Sequence, residues 1–332
     1  MKKFESETTQ TLLEKNLISK EQYLQIQAYR SLNIFSLHNE LRFLLYLSVL
    51  LFTSGIGTII YQNIDSIGHI AILTFIFVVT IICFYFCFKN AGNFKKNETA
   101  FANPIFDYLL LSATILTCIF IGYLQYQYHP FGTQYALATL ISSLICFFCA
   151  YYFDNKSVLS IAITGLAAFI GLSVSPHALL NNTTYNTTSL SYSGILLGIA
   201  LIVWTIYTTK IDLKKHFNLV YFMFSLHLIS VACLTNLVEE YWYFFEIILG
   251  LSTYYFYRIS HEIPSISLFV FTILYAYSGF NFLLFKILDQ IKPEYLVTPL
   301  FFLTPTYLIL SILLFIKLIK KFNIKTSDDS LQ

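Results

Sequence analysis

The long stretches without a charged residue limit this chain before anything else does. Residues 44–60, 70–88 and 296–316 carry none. Each is long enough to cross a hydrocarbon core of about 30 Å as a helix. Charged residues make up 11% of the 332 and hydrophobic residues 57%, against about 25% charged in an ordinary soluble domain. So few charges cannot cover a water-soluble globule of this length. Backbone groups in lipid must be satisfied inside a helix or a closed barrel. Barrel strands are alternating segments of roughly ten residues, which these runs are not. The expected fold class is all-α, a polytopic integral membrane protein.

Ten spans are expected, at approximately 42–61, 67–88, 104–124, 133–153, 157–175, 191–208, 217–237, 241–257, 265–285 and 295–316. The basic residues supply an independent reading. With the N-terminus inside, the inner gaps hold Lys89, Lys95, Lys96, Lys156, Lys210, Lys214, Lys215 and Arg258. The N-terminal region and first span edge add Lys2, Lys3, Lys15, Lys20, Arg30 and Arg42, and the tail adds Lys317, Lys320, Lys321 and Lys325. Only Lys286 and Lys292 fall outside, with Asp289 and Glu294 close in sequence. Retention of basic residues in the cytoplasm is the usual determinant of orientation. One span more or fewer would put the later clusters on the wrong side. Both ends are therefore expected in the cytoplasm of a bacterial inner membrane. Tyr61, Tyr126, Tyr192, Tyr241 and Tyr257 stand near span ends, where an amphipathic ring suits the headgroup level.

Three regions follow: a cytoplasmic helical arm at 1–40, the membrane domain at 41–317, and a basic-then-acidic cytoplasmic tail at 318–332. In the arm, a short helix is expected over 9–15. Ser19 followed by Gln22 reads as a capping box opening a second helix to about residue 34. Leu12, Leu13, Leu17, Leu24 and Ala28 would close a two-helix hairpin; a loosely ordered arm is the plainer alternative. After Met1-Lys2-Lys3 the chain stays polar for about forty residues, so the first span is expected to act as the insertion signal and to remain. The longest outer gap, at 181–188, carries N-x-T sequons at Asn181, Asn182 and Asn186 and divides the spans five and five. No convincing motif repeats between the halves.

The segment Asn16-Leu17-Ile18-Ser19-Lys20-Glu21-Gln22, followed by Ser54-Gly55-Ile56-Gly57 and Tyr61-Gln62-Asn63-Ile64, resembles the opening of a bacterial predicted-membrane-protein family, domain of unknown function 2157. The chain departs from that pattern at Asn16, where Gly is usual, and at Ile64, where Trp is usual. The resemblance covers about the first ninety residues. It implies a multispan inner-membrane protein with a short cytoplasmic helical region, and it carries over no catalytic residue.

Few groups inside the spans can do chemistry. His227 lies near the middle of span seven, and a charged side chain there costs a few kcal/mol or more. It is expected to face other helices or a wet cavity, either as a neutral His bonded to Ser or Tyr or as part of a proton or substrate site. Glu246 lies one to two turns into span eight from the outer end, within reach of His227 through water. The pair would carry a proton or a cation; the plainer reading has Glu246 reach the interface or bond a Tyr. Asp107 suits a helix N-terminus. Pro305, in Thr304-Pro305-Thr306, removes a backbone donor and is expected to break the middle of span ten, as a tolerated kink or as part of a binding site.

The remaining motifs read as packing. All six cysteines lie in apolar runs. Cys146-Phe147-Phe148-Cys149 lacks the electropositive, accessible setting a redox pair needs, and Cys83 and Cys87 have no nearby metal-ligand partners. Gly194-x-x-x-Gly198 permits close helix approach. No Walker loop, G-x-S-x-G or H-E-x-x-H is present, and neither a cofactor nor a nucleic-acid surface is implied. The expected partners are the bilayer and a protein bound through the N-terminal arm. Three functions stay open: a small-solute or lipid transporter-like protein centred on His227, Glu246 and Pro305; a non-enzymatic scaffold or partner subunit; and an intramembrane enzyme on lipid-linked substrates.

Overall fold

The computed structural model describes residues 19–23, 25, 38–99, 101, 103–174, 187–289 and 293–329. They contain ten long helices. These are α1 (His38–Ile67), α2 (His69–Asn90), α3 (Ile105–Tyr128), α4 (Tyr135–Phe153), α5 (Lys156–Val174), α6 (Thr187–Lys210), α7 (Asn218–Thr235), α8 (Trp242–Glu262), α9 (Ile266–Asp289) and α10 (Pro293–Asp329). A 3₁₀ turn, Lys215–Phe217, precedes α7. Each of the ten helices overlaps one expected span. The protein is all-α and polytopic. Seven helices, α2 to α7 and α9, are long and apolar enough to cross a membrane. In α1 the apolar stretch is shorter, 43–59. Four tyrosines with Glu246 and Arg258 keep α8 less apolar.

The chain divides into two compact units, residues 1–58 and 59–332. In the first, Ser19 and Gln22 form the capping box. The Ser19 amide donates to Gln22 Oε1 at 2.9 Å, and the Gln22 amide donates to Ser19 Oγ at 3.1 Å. The remainder of the hairpin, including 9–15, lies outside the described residues, as do the three sequons.

In the second unit, helices adjacent in sequence pack as pairs, most extensively α4 with α5, α6 with α7, α2 with α3 and α8 with α9. Short connections make the α4–α5, α6–α7 and α8–α9 neighbours antiparallel. A single residue, Gly68, separates α1 from α2; its φ of 78° is one that glycine adopts without a Cβ penalty. Close approach also explains Gly198, where a Cβ would lie 2.5 Å from Ile229 Cγ1 on α7. The motif at 194–198 is thus a packing surface. One buried cluster runs through α7, α8 and α9, with Leu226, Cys233, Phe245, Leu249, Phe256 and Leu268. Large apolar side chains such as Phe75, Leu196, Val203, Leu251 and Leu310 point outward. That inversion, apolar outside as well as inside, suits a lipid-facing perimeter.

Pro305 does not break α10, which is helical from Pro293 to Asp329. The ring removes one backbone donor, a loss a helix tolerates when neighbouring groups re-satisfy the freed carbonyl. The helix also continues through most of the expected tail.

Candidate functional site

His227 and Glu246 come to neighbouring positions on one face of α9. Nδ1 of His227 lies 2.8 Å from the Tyr275 hydroxyl, and its ring meets Phe271 edge-on at 4.7 Å between centroids. Glu246, on α8, packs against Gly279; a Cβ there would lie 3.0 Å from Glu246 Oε1. Tyr275 and Gly279 are four residues apart, about one helical turn. The part-buried His227 therefore has a tyrosine partner, while Glu246 Oε2 is buried without a hydrogen-bond partner. Pro305 is exposed on α10 and is not among the residues that line the His227 groove.

That groove, of about 450 Å³, lies between α5, α6 and α7. Ala167 and Ile170 come from α5, Gly194 and Leu197 from α6, and His227 and Val231 from α7. Val231 on its rim is 49% exposed, so the groove opens sideways. Ser191, Ser193 and Thr235 supply hydroxyls towards one end. Asn236 donates there to Ser191 Oγ, and to the Ala232 carbonyl at 3.0 Å. A second groove, of about 410 Å³, lies between α3, α4 and α5. Small side chains make it: Gly122, Ala138, Ser142, Cys146, Gly165 and Ala168. Thr164 borders both. Each volume is within the range of small-molecule sites, about 300–1,000 Å³.

The cysteines are free thiols packed among these helices. Cys146 lies 3.7 Å from Cys118 on α3, sulfur to sulfur. Among the described residues no group of three or more His, Cys, Asp or Glu could hold a metal ion.

The densest polar constellation lies elsewhere, where the α2–α3, α4–α5 and α6–α7 connections meet. Asp154 ends α4 in the left-handed conformation, φ 61°. Its Oδ2 pairs with Lys214 Nζ at 2.9 Å, with neither side chain exposed, and its Oδ1 pairs with His216 Nε2. The Thr99 amide also donates to Oδ2, as does the Thr99 hydroxyl at 3.2 Å. Lys214 is itself left-handed, φ 48°, an uncommon conformation for a side chain with a Cβ. Its backbone N–H donates to the Lys96 carbonyl at 2.9 Å, its ammonium to the Asn97 carbonyl at 3.3 Å, and the ammonium lies 5.4 Å from the Phe94 ring centroid. These fixed partners hold the strained turn.

Asn155, the next residue, caps α5. Its Oδ1 accepts from the Ser157 and Val158 amides, both at 3.0 Å, as an N-cap side chain does. Its Nδ2 donates to Asp107 Oδ1 on α3 at 3.1 Å. Two exposed pairs stand at the rim, Lys156 with Glu98 at 2.9 Å and Lys215 with Asp212. The Lys156 ammonium bonded to Glu98 holds that carboxyl below its ordinary range, and Lys215 does the same for Asp212.

In the sequence Lys156, Lys214 and Lys215 serve only as topology markers, and Asp154, Thr99 and His216 do not stand out as site residues. One local signal is present: Asp154-Asn155 is the whole connection between two helices, and Asn before a helix is a capping signature. Nothing local announces that Lys214 returns to it.

Residues 10–159, just under half of the chain, match the family model described as "Predicted membrane protein (DUF2157)". The resemblance read from the first ninety residues is therefore shown, and it extends through α4 to the start of α5. Asp154 and Asn155 fall inside the matched region; Lys214, His216, His227 and Glu246 fall beyond it. No curated protein and no solved structure matches the chain.

Proposed function

We propose that this is a ten-span inner-membrane protein with both ends in the cytoplasm, and that it is transporter-like, taking a lipid or another amphipathic molecule from the bilayer into its lateral grooves. The groove between α5, α6 and α7 carries this reading. Its length is lined by Ala167, Ile170, Leu197 and Val231, and its polar groups gather at the Ser191–Thr235 end, with His227 further in. A mainly apolar trough, with Thr164 on its wall and most hydroxyls at one end, fits an acyl or prenyl chain and a small headgroup. A small polar solute would need polar groups along the wall, because buried polar groups require partners.

The orientation rests on the basic residues, eighteen of twenty of which fall on the inner side of the ten-span arrangement. It places the Asp154–Lys214 cluster on the cytoplasmic side and the Ser191–Thr235 end on the outer side. The amphipathic ligand would then enter with its headgroup outward.

Native mass spectrometry of the full chain released from membranes tests this reading. Wild type is expected to retain lipid-mass adducts. Ala167→Phe, which fills the groove from α5, is expected to lose them while keeping its melting behaviour. Equal adducts in both proteins, or none in wild type, would overturn it. Loss of a co-purifying protein on deletion of residues 1–35, with no lipid retained, would favour the scaffold function instead.

A further inference from the structure

Three contacts of α7, α8 and α9 set the environment of Glu246. Oε1 sits where a side chain at residue 279 would begin, since a Cβ on Gly279 would be 3.0 Å away. The carboxyl group thus shares with Leu249, whose Cδ2 would be 2.8 Å from that Cβ, the gap that glycine leaves at the α8–α9 contact. One turn along α9 in one direction, the Tyr275 hydroxyl bonds His227 Nδ1. One turn in the other direction, Phe282 packs on Trp242. The Lys286 ammonium stands over both rings, 5.4 Å and 5.9 Å from their centroids. Trp242 precedes Glu246 by four residues on α8. His227, Glu246 and Lys286 are therefore strung along a single face of α9, at Tyr275, Gly279 and Phe282–Lys286.

Glu246 Oε2 is buried with no hydrogen-bond donor, and among the described residues no ion pair joins Glu246 to a cation. The apolar side chains of Phe245 and Leu249 flank it on α8. An ionised carboxylate is disfavoured in such a setting. A bound proton removes the charge, so the site favours the neutral acid.

We propose that Glu246 is an intramembrane proton site, with the His227–Tyr275 pair as its neighbour on one side and the Trp242–Lys286 pair as its mouth on the other. Cys233 of α7 is the ionisable group that meets it electrostatically; His227 of α7, bonded to Tyr275, and Lys286 of α9, set over Trp242 and Phe282, are the next along the α9 face. On the α8 side the nearest other carboxylates, Glu239 and Glu240, are exposed before the helix starts. This site does not depend on which molecule the grooves take. It does require α8 to lie in the membrane.

Dicyclohexylcarbodiimide, a lipophilic reagent, tests it on the full chain in lipid nanodiscs. The acid proton moves to a carbodiimide nitrogen as the carboxyl oxygen bonds the central carbon, so only a protonated carboxyl reacts. Peptide mass spectrometry is expected to find the adduct on Glu246 and not on exposed Glu98, Glu239 or Glu240. Labelling should decline as pH rises, vanish in Glu246→Gln, and shift in its pH profile in His227→Gln. The wild-type measurement stands even if a variant fails to fold. Absence of label on Glu246, or label that does not vary with pH, would overturn the proposal. Protection by sodium or potassium at fixed pH would also overturn it, because the site would then hold a metal cation. Lipid retention is read separately, so either result can fail alone.

Discussion

Asp154 and Lys214 meet at 2.9 Å with both side chains fully buried, although they lie on different interhelical connections. A carboxylate and an ammonium removed from water need each other and further hydrogen bonds. Asp154 has them from Thr99 and His216, and Lys214 from the Asn97 carbonyl. One carboxylate thus ties together the α2–α3, α4–α5 and α6–α7 connections.

Removing that charge should be costly. Asp154→Asn keeps the side-chain shape but leaves the Lys214 ammonium buried without a counter-charge, a loss of about 3–5 kcal/mol. Thermal unfolding in detergent micelles should show a clear fall in midpoint. Asp154→Asn combined with Lys214→Met should be less damaging than Asp154→Asn alone, because no charge is then left unpaired. A single variant that melts like wild type would rule out the tie.

The rim pair should behave differently. Glu98 and Lys156 are exposed, and such pairs contribute about 0–1 kcal/mol. Glu98→Gln is therefore expected to shift the melting midpoint barely. The Lys156 hydrogen bond lowers the Glu98 pKa in the folded chain. Its small contribution is thus complete above the ordinary carboxylate range and is lost as pH falls through the lowered value. Melting curves of wild type and Glu98→Gln should converge in acid. Divergence in acid would contradict this.

Gly198 and Gly194 should separate in a simple substitution pair. A Cβ at 198 meets Ile229 Cγ1 at 2.5 Å and the Ser225 carbonyl at 3.3 Å, whereas one at 194 meets Ala232 Cβ at an ordinary 3.5 Å. Gly198→Ala is expected to destabilise by about 1–3 kcal/mol through overpacking, with Gly194→Ala near neutral. Ile229→Ala in the Gly198→Ala background should recover part of the loss. Equal effects at 194 and 198 would contradict the asymmetric contact.

The helices were legible in the sequence because charge-free runs, glycine and the Ser19–Gln22 box each act locally. Gly68 shows the limit: the expected gap between spans one and two, 62–66, is helical, and the break is the single residue Gly68 at positive φ. Pro305 shows another, since a proline marks a missing donor but not whether the helix bends. The pairing of His227 with Tyr275 was readable only as a type of partner, since the residue that supplies it lies two helices further on. The Asp154 cluster was not legible, because its partners come from two other connections distant in sequence and retention in the cytoplasm already accounts for a lysine at 214.

Helix α8 decides whether the chain crosses ten times, because it is the least apolar of the central helices and carries Glu246. Glu240 and Glu262 lie before it and at its end, and both are exposed. Single cysteines at these two positions, in a background without the six native cysteines, can be treated in intact cells with a membrane-impermeant maleimide. Glu240→Cys should be modified from outside and Glu262→Cys only after permeabilisation. Modification of both from the same side would mean that α8 does not cross, and would remove the ten-span arrangement together with the proton site built on it.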